Sequence, residues 1–388
     1  MSPDAPFSFV MNYWQPESPM ILHLYAGNLY GGIETHLLNL MKADQLPEFS
    51  GNLRHGVALC FESRLSAELQ AIGAEFFQLG EVRFRYPWTV WRARHRLSQI
   101  IRKKNVECLV AHASWSYRLG YPTAHKLNVP IIFMNHDILK CNNRLERFAA
   151  VHQPDKIITN SYFTAQSCLD LFGRKADAVI YPATSICQPD FIENANLVVR
   201  KELNTSASDV VIIQFSRFES WKGHESLIRA LGFLKSLPGW RLWMAGGVQK
   251  QNEIAYADSL KALAKSLGIH ERIAFLGQRK DMPRVLAEAD IHCQPNSGPE
   301  PFGLAFVEAL AAGLPSVSTN HGGATEIITP ACGILVPPDS PEALAEGLRS
   351  LILSAELRKS LGKNGPARAA ELCDPAGILR QLNLAIQT

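Results

Sequence analysis

Residues 296–328 read NSGPEPFGLAFVEALAAGLPSVSTNHGGATEII. Glu300 stands in a Pro/Gly loop after the short apolar run Ile291–Gln294, and a helical period opens near Phe302. A second apolar run, Ser316–Thr319, closes one strand–helix–strand unit. In such units ligands meet the loop beyond the carboxyl end of the strand. Pro301 suits a helix N-terminus, where the amides of Phe302, Gly303 and Leu304 would point outward unsatisfied and suit a phosphate. Glu308 follows Glu300 by eight residues, about two turns into a helix that begins at Phe302. Carboxylates accept hydrogen bonds from vicinal hydroxyls, so one glutamate suits a sugar and the other a ribose. The competing reading is a capped amphipathic helix with incidental acids. Pro-Phe-Gly combined with Gly322, Gly323 and Glu326 argues against it.

The same rhythm runs through both halves of the chain. Strands are expected at Ile21–Tyr25, His55–Cys60, Glu75–Leu79, Cys108–Ala111, Ile131–Met134, Lys156–Thr159 and Ala178–Tyr181. A second set follows at Val210–Ser216, Arg241–Ala245, Ile273–Leu276, Ile291–Gln294, Ser316–Thr319 and Gly333–Val336. Strands alternating with helical segments predict doubly wound parallel sheets of the α/β class. With 388 residues the chain exceeds one comfortable core. The expected division is a loose leader at 1–19, a first α/β domain at 20–188, a second at 189–370, and a C-terminal helix at 371–388 placed to cross back to the first domain. Pro182–Ser208, poor in periodicity, is the expected hinge. Two such sheets facing each other leave one cleft between their loops.

A net charge of +3 gives no argument for nucleic acid. The eight cysteines are scattered singly, without a CxxC pair or zinc-like spacing, which fits a reduced, cytoplasmic compartment. No stretch approaches about 18 uninterrupted apolar residues, so no spanning segment is expected.

Three further loops carry chemistry. In AGNLYGGIETH, Gly31 and Gly32 precede a helix, where missing Cβ atoms let a diphosphate approach its amides. A plain tight turn is the alternative, since the spacing is neither the Walker nor the dinucleotide pattern. In PIIFMNHDI, His136 lies just beyond a strand, where a neutral imidazole reaches a sugar hydroxyl or serves the structure alone. His112 occupies a similar place. In IQFSRFESWKGHESL, Arg217 and Lys222 flank a strand-to-helix loop and can converge on one diphosphate, unless they are ordinary surface charges.

Taken in order from about Met20 to Leu353, these loops resemble the retaining glycosyltransferases of family four, which have the GT-B fold of two Rossmann-like domains. The Glu300-Pro301-Phe302-Gly303…Glu308 segment carries the resemblance most specifically. It implies that Gly32 abuts the donor diphosphate, that His136 touches the transferred sugar, and that Arg217 and Lys222 neutralise the leaving group. Glu300 would hold the donor sugar and Glu308 the ribose, while Gly277 and Gln278 would meet the nucleobase through backbone groups. Tyr181-Pro182-Ala183-Thr184 departs from the Asn-Gly-Val-Asp often found there.

The implied reaction is retaining transfer of a sugar from a nucleotide-sugar, UDP-sugar ahead of GDP-mannose, to a hydroxyl of a saccharide, lipid-linked or small-molecule acceptor. No cofactor and no metal are expected, because cations and helix amides already meet the leaving-group charge and no DxD-like pair follows a strand. Rival readings are a nucleotide-sugar epimerase, a disaccharide phosphorylase, or a non-catalytic nucleotide-sugar-binding protein. On the acceptor side, Arg83, Arg85, Arg92, Arg94 and Arg96 interleave with Phe84, Tyr86, Trp88 and Trp91. That segment fits peripheral contact with the inner face of a membrane, or merely a solvated helix face.

Overall fold

The computed structural model describes residues 18–28, 31–49, 53–184, 197–247 and 251–388. Most of the expected leader, and the middle of the expected hinge, lie outside the described residues.

Two parallel sheets organise the chain. The first contains β1 (Met20–Tyr25), β2 (Arg54–Leu59), β3 (Phe76–Gln78), β4 (Val106–His112), β5 (Ile131–Asn135), β6 (Lys156–Thr159) and β7 (Ala178–Val179). Its order is β3-β2-β1-β4-β5-β6-β7. The second contains β8 (Val210–Phe215), β9 (Trp240–Ala245), β10 (Ile273–Gly277), β11 (Ile291–Gln294), β12 (Ser316–Thr319) and β13 (Gly333–Val336). Its order is β10-β9-β8-β11-β12-β13. The winding reverses between β1 and β4 in one sheet and between β8 and β11 in the other. These are the positions where strand-end loops diverge and leave room for a ligand.

β7 stops two residues short of the sequence expectation. Pro182 has no N–H for a ladder, and Tyr181 turns aside to stack near Phe302, with ring centroids 5.0 Å apart.

Side chains alternate between two apolar layers on the first sheet. Met20, Leu22 and Leu24 of β1 face a layer with Leu97, Leu109 and Phe133. Ile21 faces the other layer, with Leu37, Leu40, Val57, Val110 and Ile132. The last helix, Pro375–Gln387, joins this second layer through Ile378, Leu379 and Leu382. Asp374 caps it by accepting from the Gly377 amide at 2.7 Å, and Lys156 Nζ donates to the Ala385 carbonyl at 2.8 Å.

Among the described residues no helix is long and apolar enough to cross a membrane.

Leu379 is fully buried in this layer. Leu379→Ala is expected to destabilise the chain by about 2–5 kcal/mol through lost apolar burial and a residual cavity, read as a lower denaturation midpoint in urea.

Candidate active site

The loop after β11 is shaped by backbone packing. Gly223, at φ +75°, backs onto Pro295 so closely that a Cβ would lie 1.8 Å from the Pro295 carbonyl oxygen. Gly322, at φ +63°, backs onto Glu300, where a Cβ would lie 2.6 Å from its N and O atoms. Only glycine permits either approach. The result sets Lys222 Nζ 2.5 Å from Glu300 Oε2, with both side chains only 12–13% exposed. Asn296 Nδ2 donates to the same oxygen at 2.9 Å and Gln294 Nε2 at 3.3 Å. Lys222 also lies 4.1 Å from the Trp221 ring centroid.

The helix after this loop begins at Leu304, two residues later than the sequence suggests. Phe302 is buried with its ring in an apolar cluster, and Gly303 takes φ +110° as the cap. Of the three amides assigned to the phosphate, only that of Leu304 therefore belongs to the first helical turn. Glu308 sits little more than one turn into the helix. Its carboxyl has no protein partner among the described residues, and burial pushes its pKa up to about 7.

Arg217 follows β8 and pairs with Glu219 at 3.0 Å. The structure thus gives each of the two expected phosphate cations its own carboxylate. Gly277 ends β10, at the edge of the second sheet, and Gln278 packs beside Gly247.

The first domain supplies the facing wall. Gly31 caps the helix Gly32–Asp44, and a Cβ on Gly32 would meet Leu304 Cδ1 at 3.5 Å. The β1 loop and the start of the helix after β11 thereby lie side by side across the cleft. Glu34, which the sequence reading missed, accepts from Tyr25 Oη at 2.8 Å and from the Gly31 amide at 2.9 Å. Burial raises its pKa, and the Arg217 charge is among the influences opposing that rise. His136 and Asp137 follow β5. Burial raises the Asp137 pKa, and the Glu300 charge adds to it. Asn160 Nδ2 donates to the His136 carbonyl at 3.4 Å and Ser161 Oγ to that of Pro301 at 2.6 Å, which sets the two loops face to face. A clasp completes the wall: Glu326 accepts from the amides of Tyr162 and Phe163 at 2.9 and 2.7 Å and from Tyr181 Oη at 3.0 Å.

Three arginines of the basic aromatic segment are tied to backbone carbonyls. Arg92 donates to the Glu81 carbonyl, Arg94 to those of Leu119 and Arg118, and Arg96 to that of Leu79. Phe84 packs on Trp115. Trp88 and Trp91 stay outward, 64% and 70% exposed, together with Arg83, Arg85, Arg92 and Arg96.

Comparison with known proteins gives the family and the fold. The model for glycosyl transferases group 1 matches residues 198–368, and that for glycosyltransferase family 4 matches residues 30–185. The chain belongs to the group 1, family 4 glycosyltransferases. A lipopolysaccharide core biosynthesis glycosyltransferase of Rhizobium meliloti is 28% identical over 220 residues, covering 56% of this chain and 60% of that protein. A D-inositol 3-phosphate glycosyltransferase of Mycobacterium is 32% identical over 177 residues, covering 45% of this chain and 39% of that protein. The chain thus spans 60% and 39% of these relatives' lengths. Solved structures share the GT-B fold along nearly the whole chain. Anabaena HepE, in complex with UDP and glucose, has a TM-score of 0.80 at 24% identity, covering 95% of this chain and 99% of that one. A glycosyltransferase from Rickettsia africae has a TM-score of 0.81 at 21% identity, covering 95% and 97%.

The folded chain binds the Glu308 proton more tightly than the unfolded chain, since burial lifts the carboxyl from 4.5 to about 7. Stability therefore falls as pH rises through that window and levels off above it. Glu308→Gln is expected to raise the ligand-free melting temperature by about 2–4 °C at pH 8 and to match the parent near pH 4, as thermal denaturation at the two pH values will show.

Proposed function

We propose that this chain transfers a sugar from a nucleotide-sugar, with retention of configuration, to an acceptor hydroxyl. The observation that carries the reading is the Lys222–Glu300 pair, set at the second sheet's reversal point and facing the His136 loop. An arriving diphosphate competes with Glu300 and Glu219 for Lys222 and Arg217. The sugar hydroxyls then take the accepting capacity of Glu300, and the ribose diol takes the unpartnered Glu308 carboxylate.

As the sugar–phosphate bond breaks, negative charge grows on the leaving diphosphate. Lys222, Arg217 and the amide of Leu304 stabilise it, each already oriented before reaction. The acceptor hydroxyl attacks from the same face and passes its proton to the departing phosphate oxygen, while Glu300 orients the sugar without forming a covalent adduct. Two cations and a helix end meet the charge load, so the reaction is expected to proceed without a divalent metal. A UDP-sugar is the favoured donor, in keeping with the ligands named for the Anabaena structure. GDP-mannose comes next, in keeping with a Corynebacterium glutamicum relative described as GDP-mannose-dependent, 31% identical over 177 residues. The acceptor is a saccharide, lipid-linked or small-molecule hydroxyl. Trp88 and Trp91 are suited to rest at a lipid headgroup layer.

A thermal-shift screen over UDP-, GDP-, ADP- and dTDP-sugars is expected to single out a UDP-sugar. No shift with any of them would overturn the donor reading. With that donor, Lys222→Ala and Glu300→Gln should each lower kcat by roughly 10²–10³, and chelator should leave turnover unchanged. Flotation with anionic vesicles should weaken when Trp88 and Trp91 are both replaced by Ser.

A further inference from the structure

On the face of the first sheet covered by the helices Gly32–Asp44 and Pro375–Gln387, four imidazoles form one unbroken hydrogen-bonded row. His136 Nε2 meets His112 Nδ1 at 2.8 Å, and His112 Nε2 meets His23 Nδ1 at 2.9 Å. His23 Nε2 meets His55 Nδ1 at 3.0 Å, and His55 Nε2 meets Asn383 Oδ1 at 2.8 Å. Every ring offers Nε2 to the Nδ1 of the next, so the row is head to tail. It starts at the cleft loop after β5, crosses β4, β1 and β2, and ends on the last helix. His23 and His112 are fully buried and His55 is 2% exposed.

Burial holds all four rings uncharged at neutral pH. The pKa of His136 is lowered to about 3, that of His55 to about 4, and those of His23 and His112 fall well below the ordinary value. The groups packed around the row leave it intact. His36 spends Nδ1 on the Ala183 amide at 2.9 Å and stands 6.0 Å, ring to ring, from both His112 and His136. Asp44 accepts from the His55 backbone amide, not from its ring.

A neutral imidazole has one N–H and one bare nitrogen. A head-to-tail row of such rings therefore has only two arrangements that satisfy every link: all protons on Nε2, or all on Nδ1. Mixed orders place two N–H groups or two lone pairs face to face inside the core, which is costly. The row thus behaves as one unit, and whatever binds its far end selects the arrangement. An amide oxygen at that end only accepts, so it selects protons on Nε2 throughout.

We propose that Asn383 is a positioning residue for the cleft: through His55, His23 and His112 its amide oxygen fixes His136 as the Nε2–H tautomer, presenting a bare, accepting Nδ1 to a hydroxyl of the donor sugar. This rests on the reading of the cleft as the donor site. It gives a residue of the last helix a specific chemical effect on the ring at the other end of the row. Asn383 is partly exposed at a surface cleft that it shares with Glu48, Glu107 and Arg380.

The test uses the full chain labelled with 15N-histidine, whose long-range 1H–15N spectra distinguish protonated from bare ring nitrogens. All four histidines of the row are expected to show a bare Nδ1. Asn383→Asp keeps an acceptor and should preserve the pattern, whereas Asn383→Leu removes it and should mix both tautomers at His136. Asn383→Ala serves the same purpose if leucine is not accommodated. With UDP-glucose as donor, the leucine variant should lose about tenfold in kcat/KM, chiefly through KM, while the aspartate variant stays within about twofold. A His136 tautomer that is unchanged in Asn383→Leu, or an Nδ1–H in the parent, overturns the proposal. Mixed tautomers with unaltered donor kinetics would instead overturn the contact between His136 and the sugar, leaving the proton order itself established.

Discussion

The second domain's chemistry depends on how tightly three backbone segments are pressed together behind Glu300. The Gly223 turn lies against the Pro295 carbonyl and the Gly322 turn against the Glu300 backbone, at separations that exclude any Cβ. This packing, not the attraction between opposite charges, brings Lys222 to Glu300. An exposed ion pair of the same type would contribute little and would wander. Here both partners are nearly enclosed, and two amide side chains share the carboxylate oxygen. The pair is held ready at one height above the sheet, where two neighbouring strands end and their connections run in opposite directions.

Facing it, the first domain contributes further carboxylates. Glu34 is buried and tied to Tyr25 and Gly31, and Asp137 lies opposite Glu300. Within the second domain each cation is already answered by its own carboxylate, Lys222 by Glu300 and Arg217 by Glu219. A phosphate-bearing ligand upsets that balance and must redistribute it, which makes entry of the donor an exchange of partners. Glu308 stands apart because it has no partner to surrender.

Much of this was legible in the sequence. Strands such as Ile291–Gln294 and Ser316–Thr319 are short apolar runs between turn residues and occur at their expected positions. Lys222 and Glu300 stood out because each follows such a run in a glycine-bearing loop. The helix start did not, because Pro301 imitates an N-terminal signal while tertiary burial of Phe302 delays the first turn. The arginines between Arg83 and Arg96 read as a basic patch, yet three of them satisfy backbone carbonyls that only the folded chain brings near. The histidine row was invisible for a related reason. His23, His55 and His112 each look like one polar residue in an apolar strand, and only the strand order β2-β1-β4 sets them side by side.

The last helix has a consequence for how the chain reaches its native state. The first sheet is complete in sequence at Val179, yet the layer beneath it gains Ile378, Leu379 and Leu382 only from the distant end of the chain. During synthesis the second sheet can therefore close over its own core while the first still exposes an uncovered apolar strip to the ribosome's surroundings. The domain made first is the one finished last, and its unprotected interval lasts as long as translation of everything that follows.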